Sequence, residues 1–173
     1  MRYHPLKGEV CTVSLLQGVP KFVQSGRRRR GRKGVGLRYE AKVHAHLLAE
    51  FDGYIQSPWF RYTTSDAPNR INYAQPDGLI VDVEKGRILI CEMKYSHCAE
   101  AYFQLLDKYL PIVRKFFNNS DSESDGGKPL WTFATVEIVY WFDCAVAFPT
   151  TPERRARLQD VREHELAVHV CRP

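Results

Sequence analysis

The chain has 173 residues, 44% hydrophobic and 26% charged, with a net charge of +5. That is enough chain for one domain with a buried core, expected to span residues 1–173. No run approaches the roughly 18 apolar residues of a membrane span, and residues 1–5 lack the apolar stretch of a secretory signal, so membrane and secreted classes are set aside and a cytoplasmic protein is expected.

Charge is unevenly spread. Residues 1–44 hold eleven Lys/Arg against two Glu, a local balance of +9, which leaves −4 for the remainder. Five cysteines, Cys11, Cys91, Cys98, Cys144 and Cys171, show no C-x-x-C spacing. This argues against a disulfide framework or zinc knuckle and for buried or half-buried free thiols.

Residues 9–16, rich in β-branched side chains, predict a strand. A basic segment over about 25–34 follows, with Arg27, Arg28, Arg29, Arg30, Arg32 and Lys33 set among glycines. Such a run repels itself and suits sequence-independent neutralisation of nucleic-acid phosphates; the competing reading is a solvated loop or targeting patch. Leu37, Ala41, His44, Leu47 and Leu48 recur at helical spacing, so a helix is expected over 37–51, ending before Gly53. Residues 54–63 read as one strand and the Pro/Asn-rich residues 64–76 as a loop. Two short apolar runs, 78–83 and 87–94, flank Glu84-Lys85-Gly86 and predict a hairpin. Residues 99–118 form an amphipathic helix that Pro111 should kink or divide. An acidic loop over 118–128, an apolar strand region over 131–148, and a helix–strand extension over 151–173 complete the chain, the extension opening on Thr151-Pro152-Glu153. The order predicts an α/β fold: a mixed sheet with helices on both faces.

The hairpin carries the chemistry. Asp77 precedes its first strand; Glu92 and Lys94 close its second. Opposed residues of an antiparallel pair share a face. A turn at Glu84-Lys85 sets Asp77 opposite Glu92. A turn at Lys85-Gly86, which has the better turn chemistry because Gly accepts positive φ, sets Asp77 opposite Lys94. Either register places the three groups on one face, beyond an apolar layer of Leu79, Val81, Val83, Ile88 and Ile90. Two neighbouring carboxylates repel and call for a proton or a cation, and hard oxygen ligands suit Mg²⁺ or Mn²⁺. The competing reading is an edge salt bridge between Lys94 and a carboxylate.

Pro76-Asp77 followed by Glu92-Met93-Lys94 resembles the PD-(D/E)xK nuclease superfamily. Residues 36–43 resemble its first-helix motif, as in phage-type and Holliday-junction-resolving endonucleases. The resemblance covers about residues 36–140. It implies a restriction-endonuclease-like αβββαβ core, with Asp77, Glu92 and the Met93 backbone carbonyl as metal ligands. Lys94 would be the catalytic lysine and Glu40 the first-helix acid that joins or supports the metal. Gln104 and Tyr109 resemble the Gln…Tyr motif of the exonuclease-like branch, one residue more widely spaced, and Gln104 would join the catalytic set. His44 is a second candidate for the helix ligand, the competing and favoured reading being a core-facing histidine. His97, near the active end of the hairpin, is a candidate phosphate contact.

The expectation is therefore a Mg²⁺- or Mn²⁺-dependent deoxyribonuclease, an endonuclease on duplex or branched DNA, with DNA as the partner. A homodimer is expected only by analogy with small nucleases that cut two strands. The alternatives are a catalytically silent nucleic-acid-binding module and a nuclease subunit that needs a partner chain.

Overall fold

The computed structural model describes residues 6–23, 32–120, 131–141 and 167–173. Its larger sheet has five strands: β2 (Tyr54–Gln56), β5 (Gly78–Asp82), β6 (Arg87–Ser96), β7 (Thr132–Trp141) and β8 (Ala167–Val170), in spatial order β2–β5–β6–β7–β8. The first three are antiparallel neighbours, whereas β7 runs parallel to β6 and β8 parallel to β7. A parallel joint needs a crossover. The chain supplies it with α2 (Ala99–Gln104), a π-helical turn (Leu105–Tyr109) and α3 (Leu110–Ser120). A second sheet joins β1 (Val10–Leu16), β3 (Trp59–Thr64) and β4 (Ala67–Ala74), all antiparallel.

Strand β6 organises the interior because its side chains alternate. Ile88 and Ile90 meet Leu79, the crossover residues Leu105, Tyr109, Ile112 and Val113, and Phe60, Tyr62 and Ala74 of the second sheet. Cys91 and Met93 point the other way, onto Tyr39, Val43 and Leu47 of α1 (Arg32–Glu50). Those three α1 residues are spaced by four and form one stripe. Each fully buried aliphatic side chain here contributes about 1.5–3 kcal/mol. The α/β class, with a mixed sheet between helices, holds.

Several expectations are corrected. The α1 helix starts at Arg32, so Arg32 and Lys33 open it and do not belong to a loop; both are good helix formers, and extending a nucleated helix is cheap. Residues 54–63 split into β2 and β3, because Ser57 adopts φ 45° and turns the chain from one sheet into the other. Ala67–Ala74, expected as a loop, is strand β4, largely exposed and held by its pairing with β3.

The hairpin closes at Asp82↔Arg87. Its register is therefore the one that sets Asp77 beyond Gly78 and opposite Glu92, and not the register favoured by turn chemistry. Gly86 does take positive φ, 58°, but as the last residue of a four-residue turn. Asp82 Oδ1 accepts the Lys85 N–H at 3.0 Å and stabilises that turn. Val83 lies in the turn and is exposed, outside the apolar layer. Pro111 is preceded by the π-turn, which relieves the clash of its ring with the carbonyl four residues back. Cys11 is an exposed thiol, Cys91 and Cys171 are buried and Cys98 half-buried. Arg27–Arg30, Cys144, residues 142–148 of the apolar run, and the helix expected from Thr151 lie outside the described residues. Among the described residues, no helix is long and apolar enough to cross a membrane.

Candidate metal centre

The end of the hairpin gathers Asp77, Glu92 and Lys94. Pro76, fully buried, delivers Asp77 to the start of β5. Asp77 Oδ2 reaches across to β6 and accepts the Met93 backbone N–H at 2.6 Å. Glu92 is only 2% exposed. Its Oε1 accepts a hydrogen bond from the Lys94 ammonium, two residues along the same face. Its Oε2 is buried and, among the described residues, has no hydrogen-bond partner.

Burial with two carboxylates so close has an electrostatic consequence. Desolvation, then repulsion from Asp77, pushes the Glu92 carboxyl up to about 8, against the pull of Lys94. Desolvation also raises Asp77, to about 6, opposed by Lys94 and the Met93 N–H and reinforced by Glu40. Burial alone would lower the Lys94 ammonium, but Glu92 and Asp77 more than reverse this and hold it above the ordinary lysine range.

Glu40 approaches from α1. Its side chain is one-third exposed and stands 3.6 Å from His44 Nε2, one helical turn on. His44 is buried, and its Nδ1 meets the Tyr54 hydroxyl at 2.5 Å. His44 Nε2 lies 3.5 Å from Ser57 Oγ, which donates to the Asp77 carbonyl at 3.3 Å. The Ser57 N–H donates to the same carbonyl at 2.9 Å. The positive φ of Ser57 is thus tied to holding the Asp77 carbonyl, a strained residue beside the carboxylate pair. His44 is core-facing, as the spacing favoured, yet it links Glu40 to the backbone of Asp77.

Among the described residues, no three His, Cys, Asp or Glu side chains converge as a ready metal cage. The donors present are the carboxylates of Asp77 and Glu92 and the backbone at Met93. That set fits a cation such as Mg²⁺, which keeps several waters and takes one or two carboxylates. The unpartnered Glu92 Oε2 is the particular vacancy in hydrogen bonding that such an ion would satisfy.

The other expected residues fall differently. Gln104 ends α2, half-buried, and no hydrogen bond ties it to Asp77, Glu92 or Lys94 among the described residues. A π-helical turn over Leu105–Tyr109 separates Gln104 from Tyr109. Tyr109 is buried, and burial followed by the charges of Glu92 and Asp77 raises its phenol. His97 is no phosphate contact. It is fully buried, with Nδ1 2.5 Å from Glu137 Oε2, while Glu137 Oε1 accepts the Cys98 N–H at 3.1 Å. Glu137 lies beside Glu92 in the β6–β7 ladder, so this pair anchors the start of α2 next to the site.

Sequence reasoning missed Tyr54, Ser57 and Glu137. Gly78 was a usable signal for Tyr54: a Cβ there would lie 2.6 Å from the Tyr54 ring and hydroxyl, so the position is kept open for it. No family model matches the chain, and no curated protein or solved structure matches it.

Proposed function

We propose that the chain is a Mg²⁺- or Mn²⁺-dependent nuclease that hydrolyses phosphodiester bonds of DNA, with a restriction-endonuclease-like core. The observation that carries the reading is the pairing of half-buried Asp77 with buried Glu92, with Lys94 beside them and Glu92 Oε2 left without a partner among the described residues. The element order supports the core assignment: α1, then β2, β5 and β6 antiparallel, the crossover helices, and β7 parallel to β6, with β3 and β4 inserted into the second sheet.

Asp77 and Glu92 would hold the cation, joined by the Met93 carbonyl and supported by Glu40. When bound, the cation would polarise a phosphoryl oxygen and supply a more acidic water. Lys94 would orient that water and stabilise charge developing on the phosphate. Lys94 is well suited to this because its ammonium is already held by Glu92 and need not be repositioned. The Met93 N–H, Ser57 and His44 fix Asp77 from behind, which keeps a ligand to a hard cation in place. The apolar layer under the pair limits water and strengthens each charge interaction.

The test is cleavage of supercoiled plasmid and of branched DNA, with Mg²⁺ and with EDTA, by the full chain and by Asp77→Ala, Glu92→Ala and Lys94→Ala. The expected result is Mg²⁺-dependent cleavage that each variant lowers by at least about 100-fold, the scale of losing a transition-state stabilising group. Equal activity in all three variants would refute the assignment. Binding without cleavage across several divalent metals would instead establish a nucleic-acid-binding module.

A further inference from the structure

At the end of β6 that carries Lys94, the large sheet bears a column of flat groups. Tyr95 of β6 and Tyr140 of β7 stack, with ring centroids 5.2 Å apart and 5° between the planes. The parallel register, Lys94 beside Val139 and Ser96 beside Trp141, makes the two tyrosines direct neighbours. The Arg172 guanidinium, just past β8, lies over the Tyr140 ring, 5.8 Å from its centroid. Tyr95 covers one face of Tyr140, so the guanidinium takes the other. From α1, Tyr39 meets both rings edge-on at 5.9 Å, and its hydroxyl donates to the Cys171 carbonyl at 3.2 Å.

The column stops at Tyr95. Strand β5 flanks β6 only as far as Gly78 opposite Cys91, and β4 before it belongs to the second sheet. Among the described residues, no strand pairs with β6 on that side at Tyr95. Tyr39 is buried and Tyr140 half-buried, but Tyr95 is 40% exposed. Its ring is held on one face and at one edge and is open on the other face, a preformed seat for another flat ring. The surrounding charge suits a polyanion. Arg38 and Lys42 are exposed on α1 to either side of Tyr39, Arg172 is exposed, and α1 opens with Arg32 and Lys33. The acid between them, Glu40, turns to His44. Flat rings carried on a negative backbone describe a nucleic-acid strand, and a base is free to stack on protein when it is not stacked within a duplex.

We propose that Tyr95 is a base-stacking residue whose open face takes an unpaired base of a nucleic-acid strand, in line with Tyr140 and Arg172. The inference rests on the nuclease reading for its partner and narrows the substrate to DNA with single-stranded nucleotides, since Tyr95 directly follows Lys94 on β6. The competing role is packing alone, in which the column only fastens α1 to the sheet.

Bases and phosphates can be separated in the ligand. Binding to the full chain of a fluorescein-labelled oligothymidine, and of the same backbone carrying abasic sugars, is followed by anisotropy in Ca²⁺ over a range of KCl. The proteins are the wild type, Tyr95→Leu and Tyr95→Trp, with thermal melts to check folding. If a base stacks on Tyr95, the wild type prefers the oligothymidine. Tyr95→Leu then weakens that binding about tenfold with an unchanged salt slope and leaves the abasic strand unaffected, while Tyr95→Trp keeps the preference. A wild type that binds both strands equally, or neither, overturns the proposal, and this holds even where Tyr95→Leu does not fold. A folded Tyr95→Leu that loses nothing, or loses equally on both strands, overturns it too. The nuclease reading is judged apart from this, by cleavage with Asp77→Ala, Glu92→Ala and Lys94→Ala, none of which lies in the column.

Discussion

Glu92 is the residue on which the proposed chemistry turns, and its protonation has a sign that can be tested. Its folded value, about 8, lies above the ordinary 4.5, with burial the main cause and Asp77 the second. Between those values the folded state binds more protons than the unfolded chain, so stability must fall as pH rises through the window. Asp77, raised from 3.8 to about 6, adds to the fall over its own lower range. The usual acid-destabilisation of a paired carboxylate is thereby reversed. In EDTA, the wild-type Tm should drop from pH 5 to pH 8.5 more steeply than that of Glu92→Gln, which carries no charge to bury. Added Mg²⁺ should restore more stability at pH 8.5 than at pH 5, because protons and cation compete for the same oxygens. Parallel Tm profiles for wild type and Glu92→Gln in EDTA would contradict the burial of an ionisable Glu92.

Two glycines of the β2–β5 pairing test how elements hold the site. A Cβ on Gly53 would lie 2.0 Å from the Val81 carbonyl oxygen, a backbone atom that cannot swing aside, while the Gly53 carbonyl accepts the Val81 N–H at 3.0 Å. Gly53→Ala must part the strands and should destabilise by about 1–3 kcal/mol or more. A Cβ on Gly78 meets the Tyr54 side chain instead. Gly78→Ala should cost less stability, because a ring can swing, but it should displace the Tyr54 hydroxyl from His44 and lower cleavage disproportionately. Urea midpoints and cleavage rates on both variants check this; the reverse ordering would show that Tyr54 does not position the site.

These elements also mark what the sequence could convey. The period-2 pattern of the hairpin placed Asp77, Glu92 and Lys94 together, because parity survives an error in the turn. The helix α1 was likewise legible, but its buried stripe was not: of the residues expected there His44 and Leu47 are buried, whereas Leu37, Ala41 and Leu48 are exposed and Tyr39 and Val43 take their place. Strand β4 was hidden because its register with β3 runs through Ala67 and Asn72–Ala74, while Pro68, Asn69 and Arg70 between them are exposed and carry loop-type side chains. The bend at Ser57 answers to the Asp77 carbonyl twenty residues away, and buried Glu137 answers to His97 forty residues away. Neither partner is visible to a local pattern.

At the scale of the whole molecule, the proposed function raises the question of how an acidic centre would receive a polyanion. The site gathers Asp77, Glu92 and Glu40, whereas residues 1–44 carry a balance of +9. Glu40 itself sits on α1, whose first residues are Arg32 and Lys33, so the helix that supports the carboxylates continues directly from the basic segment. The division of labour this suggests is that Arg27–Lys33 supply affinity while the hairpin supplies chemistry. Affinity of that kind is paid out as released counterions, with a slope near −0.9 per neutralised phosphate on duplex DNA. Replacing Arg27, Arg28, Arg29 and Arg30 together by Gln should therefore lower the salt slope of DNA binding by about 3.6 where each meets a phosphate, and weaken binding at low salt by orders of magnitude. The loss should be uniform across duplex sequences, because phosphate contacts carry no base information. Anisotropy titrations on two unrelated duplexes over a range of KCl measure both quantities. An unchanged slope would mean that the basic run is not the phosphate grip, and a loss confined to one duplex would mean that it reads bases.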